Sequence, residues 1–269
     1  MGDGLRLVAS GFDALEGPTV DEAGNLYVSE VKRGGVFRIS PDGSAALVVP
    51  ERTGIGGICL HADGGLVVSG PDLAHVQDNG SRVLLELADV PTKPGTEAIG
   101  FNDIHADRLG RVLAGVRRGN APGELLRVTA QHEYDVVDGD VYPNGIGLSP
   151  DGSVTYAVDM DRRRVLVLDE EPWAFSTAEV DGLPDGLATD EAGFVWIAFY
   201  RGACVARFDP SGTLARLVEM PVEKPLSVCF GGPDRTDLYV VTGSSGAQTG
   251  CVFVLPVDVP GTAVDRARI

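Results

Sequence analysis

The chain has 269 residues, with 39 acidic side chains against 22 basic ones and a formal net charge of −17 at pH 7. That balance excludes a nucleic-acid partner, whose affinity comes largely from Lys and Arg neutralising phosphates, and no amphipathic basic helix is present to bind an anionic membrane. Hydrophobic residues make up 43% of the chain, enough to bury a core, yet no uninterrupted apolar stretch approaches the ~18 residues that cross a bilayer as a helix.

From the N-terminus, Met-Gly-Asp-Gly-Leu-Arg-Leu shows no basic segment followed by an apolar run, so the cytoplasm is the expected compartment. No Pro-, Ser- or Gly-rich linker divides the chain, and residues 1–269 are read as one domain. The first strong pattern is Glu16-Gly-Pro-Thr-Val-Asp-Glu-Ala-Gly-Asn-Leu-Tyr-Val28, a strand, a turn built on Asp and Gly, and an apolar strand. After Leu-Tyr-Val-Ser-Glu come a turn at 32–35, the run Val-Phe-Arg-Ile, a turn at 41–43 and a last run Ala-Ala-Leu-Val-Val. The pattern recurs from Gly56 to Leu66, Asn102 to Leu113, Asn144 to Val154, Asp185 to Trp196 and, with one extra residue, Ser227 to Leu238.

The equivalent strand residues Leu26, Leu66, Val112, Val154, Val195 and Leu238 lie 40, 46, 42, 41 and 43 residues apart. Such a period signals a repeated structural unit, and about four short strands fill each one. With 36 Gly, 17 Pro and no helical periodicity, the expected fold is all-β: a six-bladed β-propeller with about four antiparallel strands per blade.

Residues at one point of each blade's innermost strand form a ring at the mouth of a propeller's central channel. Ten positions ahead of the apolar strand residue stand Glu16, Asn102, Asn144 and Asp185, while Gly56 and Ser227 are small and leave space. Two carboxylates and amide oxygens converging in one cavity make a hard, oxygen-only site for Ca²⁺, Mg²⁺ or Mn²⁺. Asn144-Gly145, Asp185-Gly186 and Glu16-Gly17 also read as turn pairs, but turn chemistry does not predict Glu16-Gly-Pro or one register across four repeats. The scattered Cys59, Cys204, Cys229 and Cys251 are expected as packed, reduced thiols. His61, His75, His105 and His132 show no metal-binding spacing, and no Gly-x-Ser-x-Gly elbow supports a serine hydrolase.

At these residues the chain resembles the regucalcin (senescence marker protein), gluconolactonase and luciferin-regenerating enzyme family of six-bladed propellers, over nearly its whole length. The resemblance rests on Glu16-Gly-Pro18, Phe101-Asn-Asp103, Asn144-Gly145, Pro184-Asp-Gly186, Val195-Trp-Ile-Ala-Phe-Tyr-Arg-Gly202, and Pro221-Val-Glu-Lys-Pro225 leading to Phe230-Gly-Gly232. It implies one divalent ion, Ca²⁺ first with Zn²⁺, Mn²⁺ or Mg²⁺ as alternatives, held by Glu16, Asn144 and Asp185. It also implies hydrolysis of a small-molecule lactone. Three side-chain ligands leave open positions for a substrate carbonyl and water, and Asp185 is then the candidate base. Asn102 is the second catalytic candidate, orienting substrate or stabilising the oxyanion. Asn102, Asp103 and Tyr142 are the candidate substrate contacts.

Two other readings share this site: a metal-dependent lyase, hydratase or isomerase, and a non-catalytic binding propeller with a structural ion. Sugar-lactonase relatives carry an arginine two residues before the asparagine, where this chain has Gly100. Losing that fork of donors and opening space there points to a less hydroxylated or bulkier substrate. Arg117, Arg118 and Arg201 are alternative donors from loops, and the segment 114–124 is shorter than expected for regucalcin-like members. Oligomeric state is not legible.

Overall fold

The computed structural model describes residues 4–91, 93, 95–130 and 133–269, and His132 lies outside them. Among the described residues, 24 strands form six four-stranded antiparallel sheets, with a single 3-10 turn at Leu87–Asp89 and no α-helix. The first strands of the sheets are Leu15–Val20, Ile58–Leu60, Gly100–Ala106, Pro143–Leu148, Leu183–Thr189 and Pro225–Gly231. Each touches the first strand of the next sheet around a closed ring, so these are the innermost strands of blades I to VI of a six-bladed β-propeller. The outermost strand of blade VI is Arg6–Phe12, paired with Gly250–Pro256, so the beginning of the chain closes the ring onto its end.

The repeat has a physical cause, seen in blades I, III and V. Asp21 Oδ1 accepts the N–H groups of Ala23 and Asn25, Asp107 Oδ1 those of Leu109 and Arg111, and Asp190 Oδ1 those of Ala192 and Phe194. The recurring Asp therefore braces the turn from first to second strand, satisfying backbone donors that a tight turn leaves open. Middle strands are buried on both faces because neighbouring blades pack against them. Between blades V and VI, Ala198, Val205, Phe230, Leu238 and Phe253 belong to one such apolar cluster. Outer strands such as Ala45–Val49 face solvent over most of their length. No helix among the described residues is long and apolar enough to cross a membrane.

The four cysteines are free and buried, and burial pushes the Cys59 thiol up to about 12 and the Cys204 thiol to about 11. His61 and His75, which their spacing does not pair, stack at 3.8 Å. His61 Nε2 lies 3.2 Å from the Ile269 carbonyl oxygen, and His75 Nε2 lies 2.8 Å from that of Gly64.

Arg118 is fully buried in blade III, and its Nε donates to both carboxylate oxygens of Glu124, at 2.9 and 2.8 Å. Lys93 Nζ approaches the same carboxylate at 3.0 Å. Removing one partner of such a pair leaves an uncompensated buried charge. Glu124→Ala is therefore expected to lower unfolding free energy by about 3–5 kcal/mol in urea titrations. A loss below about 1 kcal/mol, the scale of an exposed pair, would contradict the assignment.

Candidate active site

Register slips position the site. The inner strands lose register with their partners between Glu16 and Thr19, Phe101 and Ile104, Pro143 and Ile146, Pro184 and Leu187, and Pro225 and Ser227. A bulge bends its strand and re-aims a side chain. Asn102, Asn144 and Asp185 sit within such slips and Glu16 borders one. Glycines allow the inner strands to meet: a Cβ on Gly145 would lie 2.3 Å from Leu187 N, on Gly186 2.0 Å from Ser227 Oγ, and on Gly56 2.7 Å from Asn102 Oδ1. Asn144-Gly145 and Asp185-Gly186 are thus strand residues at close approaches rather than turns.

In blades I, II and IV the segments leading into the inner strands are fixed from the second strand or the residue just after it. The Glu30 carboxylate accepts the N–H groups of Asp13 and Ala14 at 2.7 and 3.0 Å. Ser69 Oγ accepts those of Gly56 and Gly57 at 3.0 and 2.8 Å, and Asp159 Oδ1 that of Tyr142 at 3.0 Å. Asn102 Nδ2 donates to the Pro143 carbonyl at 3.1 Å, tying blade III to blade IV.

Above this ring lies a cavity of about 390 Å³ whose walls include Glu16, Gly56, Asn102, Tyr142, Asn144 and Asp185. Burial first, then the charges of Asp185 and Asp103, raises the Glu16 carboxyl well above the ordinary range. Burial first, then Asp103, does the same to Asp185, and burial pushes Asp103 up to about 7. The Arg117 guanidinium favours the ionised form of all three, and an Asn144 hydrogen bond favours that of Asp185.

Asn144 Nδ2 also reaches Met160 Sδ at 3.4 Å. Glu16 Oε2 and Asn144 Oδ1 are buried without any hydrogen-bond partner. Each such acceptor costs about 1–3 kcal/mol when no donor reaches it, and a cation would serve as a partner for both. Among the described residues no three His, Cys, Asp or Glu side chains form a metal cluster by themselves. A cation here needs the Asn144 oxygen beside the two carboxylates, a donor set that fits a hard divalent ion.

The remaining expected residues divide between two compartments. Asn102 and Tyr142 line the open cavity, whereas Asp103 lines a narrower space of about 100 Å³ that it shares with His105, Thr189 and Ser227. His105 is driven down to about 4 by burial. Gly100 is buried and is not part of the cavity wall, and a Cβ there would meet the Gly70 carbonyl oxygen at 3.3 Å. The space expected from Gly100 is therefore occupied by the Gly70 backbone. Arg201 stacks over Tyr200 at 5.1 Å, outside the cavity wall. Sequence reasoning did not single out Met160 and Asp161, which also line the cavity. Both directly follow the strand end Asp159, the one signal that could have found them.

Residues 15–244, a span that contains every one of these site residues, match the SMP-30/Gluconolactonase/LRE-like region. The chain belongs to this family. Pentonolactonase XacC of Haloferax volcanii is 32% identical over 98% of this chain and 98% of its own. The 6-deoxy-6-sulfogluconolactonase of Pseudomonas putida is 34% identical over 88% of this chain and 89% of its own. Among solved structures, the calcium-binding protein regucalcin of Agrobacterium tumefaciens superposes with a TM-score of 0.84 at 20% identity, covering 99% of this chain and 97% of that one. That likeness is one of fold.

Proposed function

We propose that this gluconolactonase-like protein is a divalent-metal-dependent hydrolase that opens a small sugar-acid lactone. The observation that carries the reading is the convergence of Glu16, Asn144 and Asp185 on a 390 Å³ cavity, with two of their oxygens buried and unpartnered. The lactonase names of two relatives supply the reaction class.

Glu16, Asn144 and Asp185 would hold the ion through side-chain oxygens. A divalent cation supplies Lewis-acid polarisation of the ester carbonyl. Asp185 removes a proton from the attacking water, and the same proton then passes to the ring oxygen as the acyl C–O bond breaks, leaving a hydroxy acid. Asn102 spends one amide hydrogen on Pro143 and has the other for the developing oxyanion. Tyr142 lines the wall where the rest of the ring would rest.

A pH-stat assay of chelator-treated protein on sugar, aliphatic and aromatic lactones, before and after adding Ca²⁺, Mn²⁺, Mg²⁺ or Zn²⁺, tests this. Acid release restored by metal and fastest on sugar lactones is the expected result. Acid release from none of them would overturn the hydrolase reading in favour of a structural ion. Consumption of a carbonyl compound without acid release would favour a lyase or isomerase.

A further inference from the structure

The basic side chains around the cavity differ in what they are already doing. Arg118 is committed to Glu124, and Lys32, mostly exposed, pairs with Asp13 at 3.0 Å. Arg117 also lines the cavity, and among the described residues its guanidinium has neither a hydrogen bond nor an ion pair. Its backbone is fixed, since the Arg117 carbonyl accepts the Ile99 N–H at 2.8 Å. A register slip between Val116 and Arg118 bends the strand at this residue. Across the inner pair its partner is Gly100.

We infer that Arg117 determines substrate specificity, and that the preferred lactone carries an oxyanion, such as a carboxylate, on the carbon chain remote from its ring ester. The inference rests on the lactonase reading and names its substrate class. Once a divalent cation balances Glu16 and Asp185, the guanidinium, which feels the Asp103 charge but makes no hydrogen bond or ion pair among the described residues, is the basic group left to choose among lactones by charge. A guanidinium grips a carboxylate through two parallel N–H donors, which a terminal hydroxyl cannot match.

The test compares D-glucono-1,4-lactone with D-glucaro-1,4-lactone, which share a ring and differ in a terminal hydroxymethyl or carboxylate group. Metal-loaded wild type, Arg117→Gln, Arg117→Lys and the surface control Arg201→Gln are assayed in parallel. Wild type is expected to prefer the carboxylate lactone by about 10-fold or more in kcat/KM. Arg117→Gln should lose that preference, chiefly through KM, while Arg117→Lys keeps part of it and Arg201→Gln all of it.

A wild type without preference, or a preference unchanged in Arg117→Gln, overturns the inference. If wild type hydrolyses neither of these two lactones, the wider lactone panel decides the lactonase reading separately. Calorimetric binding of D-glucarate against D-gluconate then decides the role of Arg117. Tighter glucarate binding that is lost in Arg117→Gln supports it, and equal binding refutes it.

Discussion

Asp185→Asn is expected to lower kcat/KM for lactone hydrolysis by at least about 10³-fold, because one substitution would remove both the proposed charged ion ligand and the proposed base. The same variant should be no less stable than wild type when metal-free at pH 8. Burial and the neighbouring Asp103 charge both disfavour the ionised Asp185, and the amide removes that charge at nearly constant shape. Activity and thermal stability thus move in different directions. If Asp185 merely braced the ring, the metal-free variant would melt earlier than wild type, and that result would contradict the assignment.

Metal addition is expected to raise Tm by about 5–10 °C at ~100 times its Kd, which corresponds to about 2.7 kcal/mol for a chain of this size. The rise should depend on pH. Glu16, Asp103 and Asp185 have folded-state values above those of the unfolded chain, with Asp103 at about 7. Between pH 4 and 7 the metal-free native state therefore holds more protons than the unfolded chain. Its stability is full at the acid end of this window and falls as pH rises through it. An ion held by these groups would need them ionised and would reverse that loss, so the Tm increment should be small at pH 5 and large at pH 8. An increment equal at both values, measured by differential scanning calorimetry with and without chelator, would place the ion elsewhere.

The architecture was legible because its determinants are local and repeated. An Asp that caps its own turn and an apolar strand a few residues later recur in Asp21, Asp107 and Asp190 and require no knowledge of distant contacts. The same register placed Glu16, Asn102, Asn144 and Asp185 in one ring, and the cavity wall contains all four. The bulges that aim these side chains were not legible, since each is a mismatch of residue count between paired strands. The Asn-Gly and Asp-Gly pairs illustrate the loss. They match turn chemistry, yet their glycines serve close approaches to Leu187 and Ser227, residues of the following blades.

Arg117 and Gly100 show a second kind of hidden information. Which residue stands across the ladder from Gly100 depends on register, which both strands set together. Asp103 shows a third. Asn102 and Asp103 both fall in the slip between Phe101 and Ile104, and they reach different compartments despite adjoining in sequence.

The most direct test of a metal-dependent lactonase is to titrate chelator-treated protein with Mn²⁺, counting bound ions by electron paramagnetic resonance while following acid release from a sugar lactone. Turnover is predicted to rise in proportion to occupancy and to level off at about one ion per chain, with neither tight binding nor turnover in Asp185→Asn. Full turnover in the chelated protein, or tight binding of one ion with no turnover on any lactone, would contradict it.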